Sequence, residues 1–217
     1  MSRQALHNVT SLVAANGRRI IVVLMVVAVG ALLAVPATAG AHVAKKHKAQ
    51  YKACLAGYGK SMMLQKDAFD RTQVEVDSAA DQIGPLLGSE DPTDKADLSG
   101  LQLKEAQSAV SWSYLWPRLK ATSEGAIDAF YKKALPWFRT ESDREDLRYG
   151  TNEMKKSFAR LFEGGFGGLA LEERTLSEAV TLSDLDEYFR QHGAATQARI
   201  QAANRFNRAI GILNDLQ

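Results

Sequence analysis

Cysteine is almost absent from this chain of 217 residues, in which Cys54 is the only thiol. One thiol cannot form a disulfide within the chain, and it cannot build a zinc site from several thiolates. The sequence also contains no Walker loop, no nucleophile elbow and no His-Glu-x-x-His helix. The usual sequence signals of nucleotide hydrolysis, serine hydrolases and metalloproteases are therefore missing.

Charge of one sign is also scarce, because 27 basic residues nearly balance 25 acidic ones and the net charge is +2. This balance gives no reason to expect a nucleic-acid partner. His42 and His47 lie on different faces of a helix beside lysines, and His192 has no ligand neighbour in the sequence. We therefore expect no metal and no other cofactor.

The chain does contain enough apolar sequence for a folded domain, since 46% of its residues are hydrophobic and 24% are charged. This composition excludes disorder of the whole chain. At about 100 to 200 residues per domain, the length fits one compact domain, alone or with a membrane element.

The N-terminal part of the chain carries the strongest signal. Residues 1–19 hold three basic groups and no acid, and they precede Ile20–Val35, sixteen uncharged and mostly aliphatic residues. A membrane span needs about 20 apolar residues, whereas Pro36 and the small-residue triplet at 37–39 fit a signal-peptidase site. We predict a basic cytoplasmic lead over 1–19. Over 20–41 we predict either a signal peptide, cleaved after that triplet, or an uncleaved transmembrane anchor.

Both alternatives place residues 42–217 outside the cytoplasm, because basic groups on a short N-terminal segment keep that side inside. The basic lead, apolar core and alanine-rich end resemble bacterial export signals, more those of Gram-positive envelopes than of others. The resemblance implies a secreted protein, or a single-pass membrane protein with its N-terminus inside. In the second case the membrane is a partner through 20–41.

Residues 42–83 are predicted to form one long helix with a heptad pattern. Large apolar residues recur at every seventh position, at Leu55, Met62, Phe69, Val76 and Ile83. The interleaved set is mixed and consists of Tyr51, Tyr58, Gln65, Thr72 and Ala79. One clean stripe and one mixed stripe favour a helix within a bundle, with an intermolecular coiled coil as the alternative. In this register Phe69 faces the core and Asp70 faces water.

Proline and glycine divide the remainder of the chain. Gly84-Pro85 ends the long helix, and residues 84–99 are predicted to be a linker. Ser99 and Gln102 have the spacing of a capping box, so the next helix is predicted to begin there. That helix is predicted to run toward Trp116 or beyond, with Pro117 placed to kink it. Five further helices are predicted: Glu124–Trp137, Thr140 or Ser142 to Phe162, Leu169–Val180, Ser183 to His192, and Ala194–Leu216. No segment alternates like a strand, so residues 100–217 are predicted to be an all-α antiparallel bundle that packs with the long helix.

The segment Gly164–Gly168 contains four glycines and is predicted to be a turn, because glycine weakens a helix through backbone entropy. Residues 165–170 also match the glycine spacing of a dinucleotide site. That site requires a preceding strand. Residues 155–163 have a helical pattern instead, so a connection between helices is the preferred interpretation.

Seven aromatic residues, including all three tryptophans, lie between positions 112 and 138. Trp112, Trp116 and Trp137 are candidates for a surface that stacks on wall glycan or enters lipid headgroups. The preferred alternative is that these rings form the core of the bundle, since a domain of this size needs their buried area.

Two further features are candidate binding sites. Lys45, Lys46 and Lys48 begin a run of six lysines before the first acid, and such a run attracts anionic lipid heads or anionic wall polymers. A solvated helix start is the equal alternative. Cys54 flanks the heptad stripe, where it is placed to form an intermolecular disulfide with a second copy of the chain. A small, half-buried apolar residue is the preferred alternative there.

Two classes of function follow from these observations. The preferred one is an exported or membrane-anchored envelope protein that binds an envelope protein, or an anionic wall or lipid surface, without catalysis. The alternative is an envelope enzyme acting on wall glycan, in which Glu124, Asp128 and Glu141 face the tryptophans across an open cleft. A packed aromatic core favours the binding protein.

Export is tested by placing charge in the apolar run. The double substitution Leu24→Arg and Val27→Arg is expected to hold the full-length protein in the cytoplasm, because each central charge costs roughly 2.5 to 3.5 kcal/mol on insertion scales. Cell fractionation measures this, with isoleucine at both positions as the matched control. Normal export of the arginine variant would contradict the localisation.

N-terminal sequencing of the exported form separates the two alternatives for residues 20–41. A cleaved signal peptide gives a protein that starts at Gly40, whereas an uncleaved anchor leaves Met1 intact.

Overall fold

The computed structural model describes residue 43 and residues 45–217, and it includes their side chains except those of Lys45 and Lys46. The predicted lead at 1–19 and the predicted signal or anchor at 20–41 lie outside the described residues. Among the residues described, no helix is both long enough and apolar enough to cross a membrane.

The described part of the chain is all-α, as predicted, and has no strand. Its α-helices are α1 (Lys45–Ile83), α2 (Pro92–Ala134), α3 (Glu141–Ala159), α4 (Gly167–Glu178) and α5 (Asp184–Asp215). Short 3-10 turns follow α1 at Gly84–Leu86 and α2 at Leu135–Trp137, and a π-helical segment, Arg160–Phe166, joins α3 to α4. Because that junction is helical, α3 and α4 form one continuous rod.

The two long helices at the ends of this region, α1 and α5, run in opposite directions. Tyr51 near the start of α1 donates from its hydroxyl to the carbonyl of Leu213 near the end of α5, at 2.9 Å. At the opposite end of the pair, Gly84 follows α1 and lies beside the side chain of Leu185. Tyr51 is fully buried, so this bond anchors the core at one end of the bundle.

Helix α2 runs opposite to the α3–α4 rod. Lys155 of α3 pairs with Asp128 near the end of α2 at 2.9 Å. Gln102, near the start of α2, donates to the carbonyl of Ala179 just after α4 at 2.6 Å. Together with the α1–α5 pair, these contacts produce an antiparallel bundle with a common hydrophobic core.

The predicted heptad stripe of α1 is confirmed, because all five of its positions are buried in that core. The interleaved set is buried as well, apart from Tyr58, which is half-buried and donates to the carbonyl of Ala126 at 2.9 Å. The polar members Gln65 and Thr72 therefore lie inside the protein. Helix α1 packs as a member of the bundle, as the preferred interpretation predicted.

The orientation predicted for Asp70 is right only in part, because its side chain is partly exposed but also forms ion pairs. Its carboxylate accepts hydrogen bonds from Arg199 of α5 at 2.8 Å and from Lys66 at 3.0 Å. Burial alone would raise the pKa of Asp70, but the bonds from Arg199 and Lys66 outweigh burial and lower it. Asp70 therefore links α1 to α5 through its bond with Arg199.

Helix α2 begins earlier than predicted, at Pro92, so it includes the second half of the predicted linker, residues 92–99. The cap is Asp91, whose carboxylate accepts from the backbone amide of Thr93 at 2.7 Å. Ser99 lies inside the helix and donates to the carbonyl of Lys95 at 2.8 Å, so it does not cap a helix. An acid directly before a proline at the first turn is a strong start signal, and it takes precedence over the capping-box spacing.

The predicted separation of this helix from a second one beginning at Glu124 is also absent, since α2 continues through Pro117 to Ala134. A proline inside a helix removes one hydrogen bond and costs about 3 kcal/mol. Buried side chains on both sides, at Trp112 and Ile127, hold the two halves of α2 against the same core. This shared packing keeps the helix continuous.

The predicted glycine turn at 164–168 is the largest correction. The segment is helical, with π geometry up to Phe166 and α geometry after it. A side chain would have no space here, because a Cβ on Gly164 or Gly168 would lie 2.7 Å from the Cβ of Ala198 or Ala195 on α5. The glycines allow the backbones of this segment and of α5 to approach closely. The apolar surface buried by this contact outweighs the cost of glycine in a helix, which is about 1 kcal/mol for each residue.

The predicted break at His192 and Gly193 does not occur either, because α5 is continuous from Asp184 to Asp215. Its start agrees with the predicted one at Ser183, although the Ser183 side chain makes no capping bond. The carboxylate of Asp184 instead accepts from the amides of Val180 and Thr181, in the connection before the helix, at 2.8 Å. The buried stripe of α5 extends through the glycine, from Tyr188 to Leu213.

The glycine contact predicts opposite effects at two positions. Gly168→Ala is expected to lower the free energy of unfolding by about 1 to 3 kcal/mol, because the interface has no room for the methyl group. Gly193→Ala is the matched control: a Cβ there meets nothing within 4 Å, and alanine favours a helix by about 1 kcal/mol. Urea unfolding measures both. Destabilisation of the same size at the two positions would contradict the close approach of α4 to α5.

Candidate functional site

The tryptophans proposed as a stacking surface lie mainly in the core. Trp112 and Trp137 are buried and Trp116 is half-buried. Trp112 packs on Phe166 with ring centroids 4.9 Å apart, and Trp137 stacks in parallel on His47 at 4.9 Å. The rings fill the interior, in agreement with the preferred interpretation of the aromatic cluster.

The three carboxylates considered for glycan cleavage do not converge with these rings. Glu124 lies 3.8 Å from Lys120, and Asp128 lies 2.9 Å from Lys155. Glu141 is near two arginines of its own helix, at 3.8 and 3.9 Å. Each acid is a surface ion-pair partner, so the geometry offers no pair of carboxylates facing a sugar.

The basic and thiol candidates lie on α1. Lys48 is exposed, whereas the side chains of Lys45 and Lys46 lie outside the described residues. Cys54 is half-buried against the core, and burial raises the pKa of its thiol while the charge of Lys133 opposes that rise. A thiol with a raised pKa forms less thiolate and reacts more slowly. The intermolecular disulfide stays a prediction.

A buried polar layer, which no sequence motif indicated, crosses the bundle where α1, α2, α4 and α5 meet. Glu172 and Glu173 of α4 are almost completely enclosed, and the carboxylate of Glu173 accepts from Ser108 of α2 at 2.7 Å. Glu105, three residues before Ser108 on α2, is also buried. Buried acids are rare and need hydrogen-bonding partners, so this layer is the chemically unusual part of the described chain.

Five side chains of this layer form a connected group, here called the Glu172 cluster, whose members are Gln73, Asp77, Glu172, Tyr188 and His192. Gln73 Nε2 lies 2.7 Å from Oε2 of Glu172 and 2.8 Å from Nδ1 of His192. The same Nδ1 lies 3.1 Å from Oδ1 of Asp77, which accepts from the Tyr188 hydroxyl at 2.6 Å. The cluster therefore connects α1, α4 and α5.

The Glu172 cluster extends from the core to the surface. The side chain of Glu172 is 0% exposed, that of His192 is 31% exposed and that of Asp77 is 45% exposed. Oε1 of Glu172 and Oε1 of Gln73 are buried and accept no hydrogen bond from any described residue. The buried carboxyl of Glu172 is therefore linked by side-chain contacts to the partly exposed His192 and Asp77.

Burial changes the acidity of this group. It raises the pKa of Glu172 to about 8, with a further rise from the charge of Asp77 and an opposing effect from the Gln73 hydrogen bond. Burial and the bond to Asp77 also raise the pKa of Tyr188. Glu172 is therefore largely a neutral acid at pH 7, which makes it a group able to change charge near physiological pH.

No ligand neighbour of His192 is visible in the sequence, but the structure brings its ring to Gln73 and Asp77 of α1. Gln73 and Asp77 are four residues apart on α1, and Tyr188 and His192 are four apart on α5. Such pairs share a helix face. Both pairs lie within predicted helices, but no sequence pattern places Glu172 between them.

The cluster is not arranged as a metal centre, because no group of three histidine, cysteine or acidic side chains in the described chain is placed to hold a metal ion.

Comparison with known protein families, with curated proteins and with solved structures gave no match. The function therefore has to be argued from the residues themselves.

The raised pKa of Glu172 predicts the pH dependence of stability. Between about pH 4.5 and pH 8 the unfolded chain ionises this glutamate and the folded chain does not, so the free energy of unfolding falls with rising pH by up to about 1.4 kcal/mol per unit. Glu172→Gln removes the titrating proton and is expected to be about 2 to 4 kcal/mol more stable than the parent protein at pH 8.

Chemical denaturation at several pH values measures this dependence. Glu178→Gln is the matched control, since Glu178 is exposed on the same helix. If the free energy of unfolding depends on pH in the same way in the parent protein and in Glu172→Gln, Glu172 does not titrate in this range.

Proposed function

We propose that this chain is an exported or membrane-anchored protein of the bacterial envelope, and that its helical bundle binds another envelope protein without catalysing a reaction. The observation that carries the binding role is the exposure of large apolar side chains where α4 turns into α5. Val180 is 73% exposed, Leu182 is 64% exposed and Phe189 is 62% exposed. Large apolar side chains exposed within one short segment are typical of sites that bind a partner.

The position of this junction in the bundle supports the proposal. The contacts of Gly84 with Leu185 and of Gln102 with Ala179 place the junction beside the C-terminal end of α1. With 39 residues, α1 is about 58 Å long at a rise of about 1.5 Å per residue. The apolar group is therefore at the end of the bundle far from the start of α1.

The start of α1 supports a different contact. Lys48 and Lys52 are exposed there, and this end of the helix follows directly after the predicted export or anchor segment. Exposed lysines attract anionic lipid heads and anionic wall polymers. In the proposed arrangement the basic end faces the cell surface, and the apolar end is presented to a protein partner.

The alternative of a wall-glycan enzyme has no observation in its favour. Its candidate carboxylates are held in separate ion pairs, and two of its three tryptophans are buried. Glycan cleavage needs two carboxyl groups on opposite sides of an accessible sugar, and the described residues of the aromatic region do not provide that arrangement.

A photo-crosslinking amino acid at position 189 tests the docking surface in the intact envelope. We expect a discrete protein adduct at this position, and no such adduct with the same reagent at Asn204, an exposed position on the same helix. The captured protein is then purified, and Phe189→Asp is expected to weaken its binding to the full-length chain by at least about tenfold, as for an interface anchor.

Two results would contradict the proposal. One is the same set of adducts from positions 189 and 204, which indicates random collision. The other is unchanged affinity of the captured protein for Phe189→Asp. Circular dichroism of that variant confirms that a loss of binding is not a loss of fold.

A further inference from the structure

Nδ1 of His192 has two close neighbours with opposite hydrogen-bonding requirements. Gln73 Nε2 lies 2.8 Å from it, and Oδ1 of Asp77 lies 3.1 Å from it. An amide nitrogen donates and an ionised carboxylate accepts. With the Gln73 amide in this orientation, an Nδ1 without hydrogen accepts from Gln73, but its lone pair is repelled by the carboxylate of Asp77. A protonated Nδ1 donates to Asp77, but it is repelled by the amide hydrogens of Gln73.

A half-turn of the Gln73 amide resolves this conflict. The turn exchanges an oxygen and a nitrogen of nearly equal shape, and places the amide oxygen between Nδ1 of His192 and Oε2 of Glu172. A protonated Nδ1 then meets two acceptors, in Gln73 and Asp77. After the turn, the amide oxygen of Gln73 takes the place of the nitrogen that lies 2.7 Å from Oε2 of Glu172. Two oxygens attract each other at this distance only if one carries a hydrogen, so Glu172 must be protonated and donate to Gln73.

We propose that Gln73 couples the protonation of Glu172 to the tautomer of His192, which makes the Glu172 cluster a pH-sensitive switch between α1, α4 and α5. In the acid state Glu172 is neutral, Gln73 presents its oxygen, and His192 keeps hydrogen on Nδ1 and donates to Asp77. In the alkaline state Gln73 donates to the carboxylate of Glu172 and to Nδ1. The hydrogen of the neutral imidazole is then on Nε2.

The proton balance of this change is simple. One proton leaves Glu172 for solvent. Solvent reaches the half-buried imidazole, so a neutral ring exchanges its hydrogen from Nδ1 to Nε2, and a doubly protonated ring releases its Nδ1 proton to solvent. In the alkaline state the lone pair of Nδ1 faces the carboxylate of Asp77, so the attraction between those two groups is lost. The first turns of α5 then hold α1 mainly through the bond from Tyr188 to Asp77.

Acidic side chains face the Glu172 cluster from α1 and α2, and from α5 the ring of His192 lies 3.6 Å from Oε2 of Glu172, where a protonated ring favours the carboxylate. From α1, Asp77 opposes ionisation of Glu172 through its charge, and Asp81 acts on Tyr188 in the same way. From α2, the buried Glu105 and the Ser108 bond to Glu173 complete the polar layer. The described ion pairs of Glu172 include no lysine or arginine, and its partner there is His192.

Nitrogen-15 NMR of the histidine rings in the full-length chain, held in a mild detergent, tests the coupling. Two-bond correlations between ring nitrogens and ring hydrogens distinguish the tautomers, and His192→Gln identifies the signals of His192. We expect hydrogen on Nδ1 at acid and neutral pH, and a transition to the Nε2 tautomer centred near pH 8, where Glu172 titrates. A merely structural histidine would not change tautomer with a neighbour's charge.

Two variants separate the switch from an independent titration of His192. In Glu172→Gln the transition near pH 8 is expected to disappear, whereas in Glu178→Gln it is expected to stay. If Glu172→Gln does not fold, Gln73→Met removes the coupling amide at similar length, and the transition should again be lost. An unchanged transition in Glu172→Gln or in Gln73→Met would overturn the proposal, as would an Nε2 tautomer throughout the pH range. None of these results depends on whether the α4–α5 junction binds a partner.

Discussion

The close approach of the α3–α4 rod to α5 is the constraint on which the rest of the structure depends. Gly164 and Gly168 leave no space for a side chain against two alanines of α5, so the two backbones pack closer than larger residues would allow. Glu172 lies one turn beyond Gly168 and is held by this contact against the face of α5 that carries His192. A looser interface would admit water, and the carboxyl would then ionise at ordinary acidic pH. The glycines therefore determine the chemistry of an acid that they do not touch.

A buried carboxyl is an unfavourable choice if stability alone matters. Burying a polar group without full hydrogen bonding costs free energy, and an apolar side chain of similar volume often packs better. Glu172 retains one oxygen without a partner among the described residues, and so does Gln73. What the acid provides is a specific register, because its contacts with Gln73 and His192 form only when α1, α4 and α5 are aligned to within one residue. The same contacts make that register sensitive to a proton.

The sequence predicted those parts of the fold that depend on local periodicity. The heptad stripe through Phe69, the end of α1 at Gly84 and the start of α3 after Thr140 are local patterns, and each is found in the structure. The breaks predicted near Pro117 and at the glycines were wrong because local penalties of about 1 to 3 kcal/mol were treated as decisive. Burial along a long rod outweighs such penalties, and a single sequence does not show how much of a rod is buried.

The Glu172 cluster was beyond prediction for a related reason. Gln73 and His192 are separated by 119 positions, and Glu172 reaches them from a third helix. Only the register of the assembled bundle brings the three together. Each pair spaced by four residues, Gln73 with Asp77 and Tyr188 with His192, was visible as a polar pair on one helix face. Such a pair gives no sign of whether it faces water or a buried acid.

The position of the cluster along α1 limits what its protonation can affect. Asp77 lies 29 residues after Lys48 on the same helix, which places them about 44 Å apart at a rise of about 1.5 Å per residue. Exposed charges are screened over about 8 to 10 Å at physiological ionic strength, so a charge change at Glu172 does not alter the potential at the basic end of the bundle. Phe189, in contrast, lies next to Tyr188, whose hydroxyl donates to Asp77. A proton lost from Glu172 therefore acts on the first turns of α5 and on the apolar junction beside them, and leaves attraction between the lysines and an anionic surface unchanged.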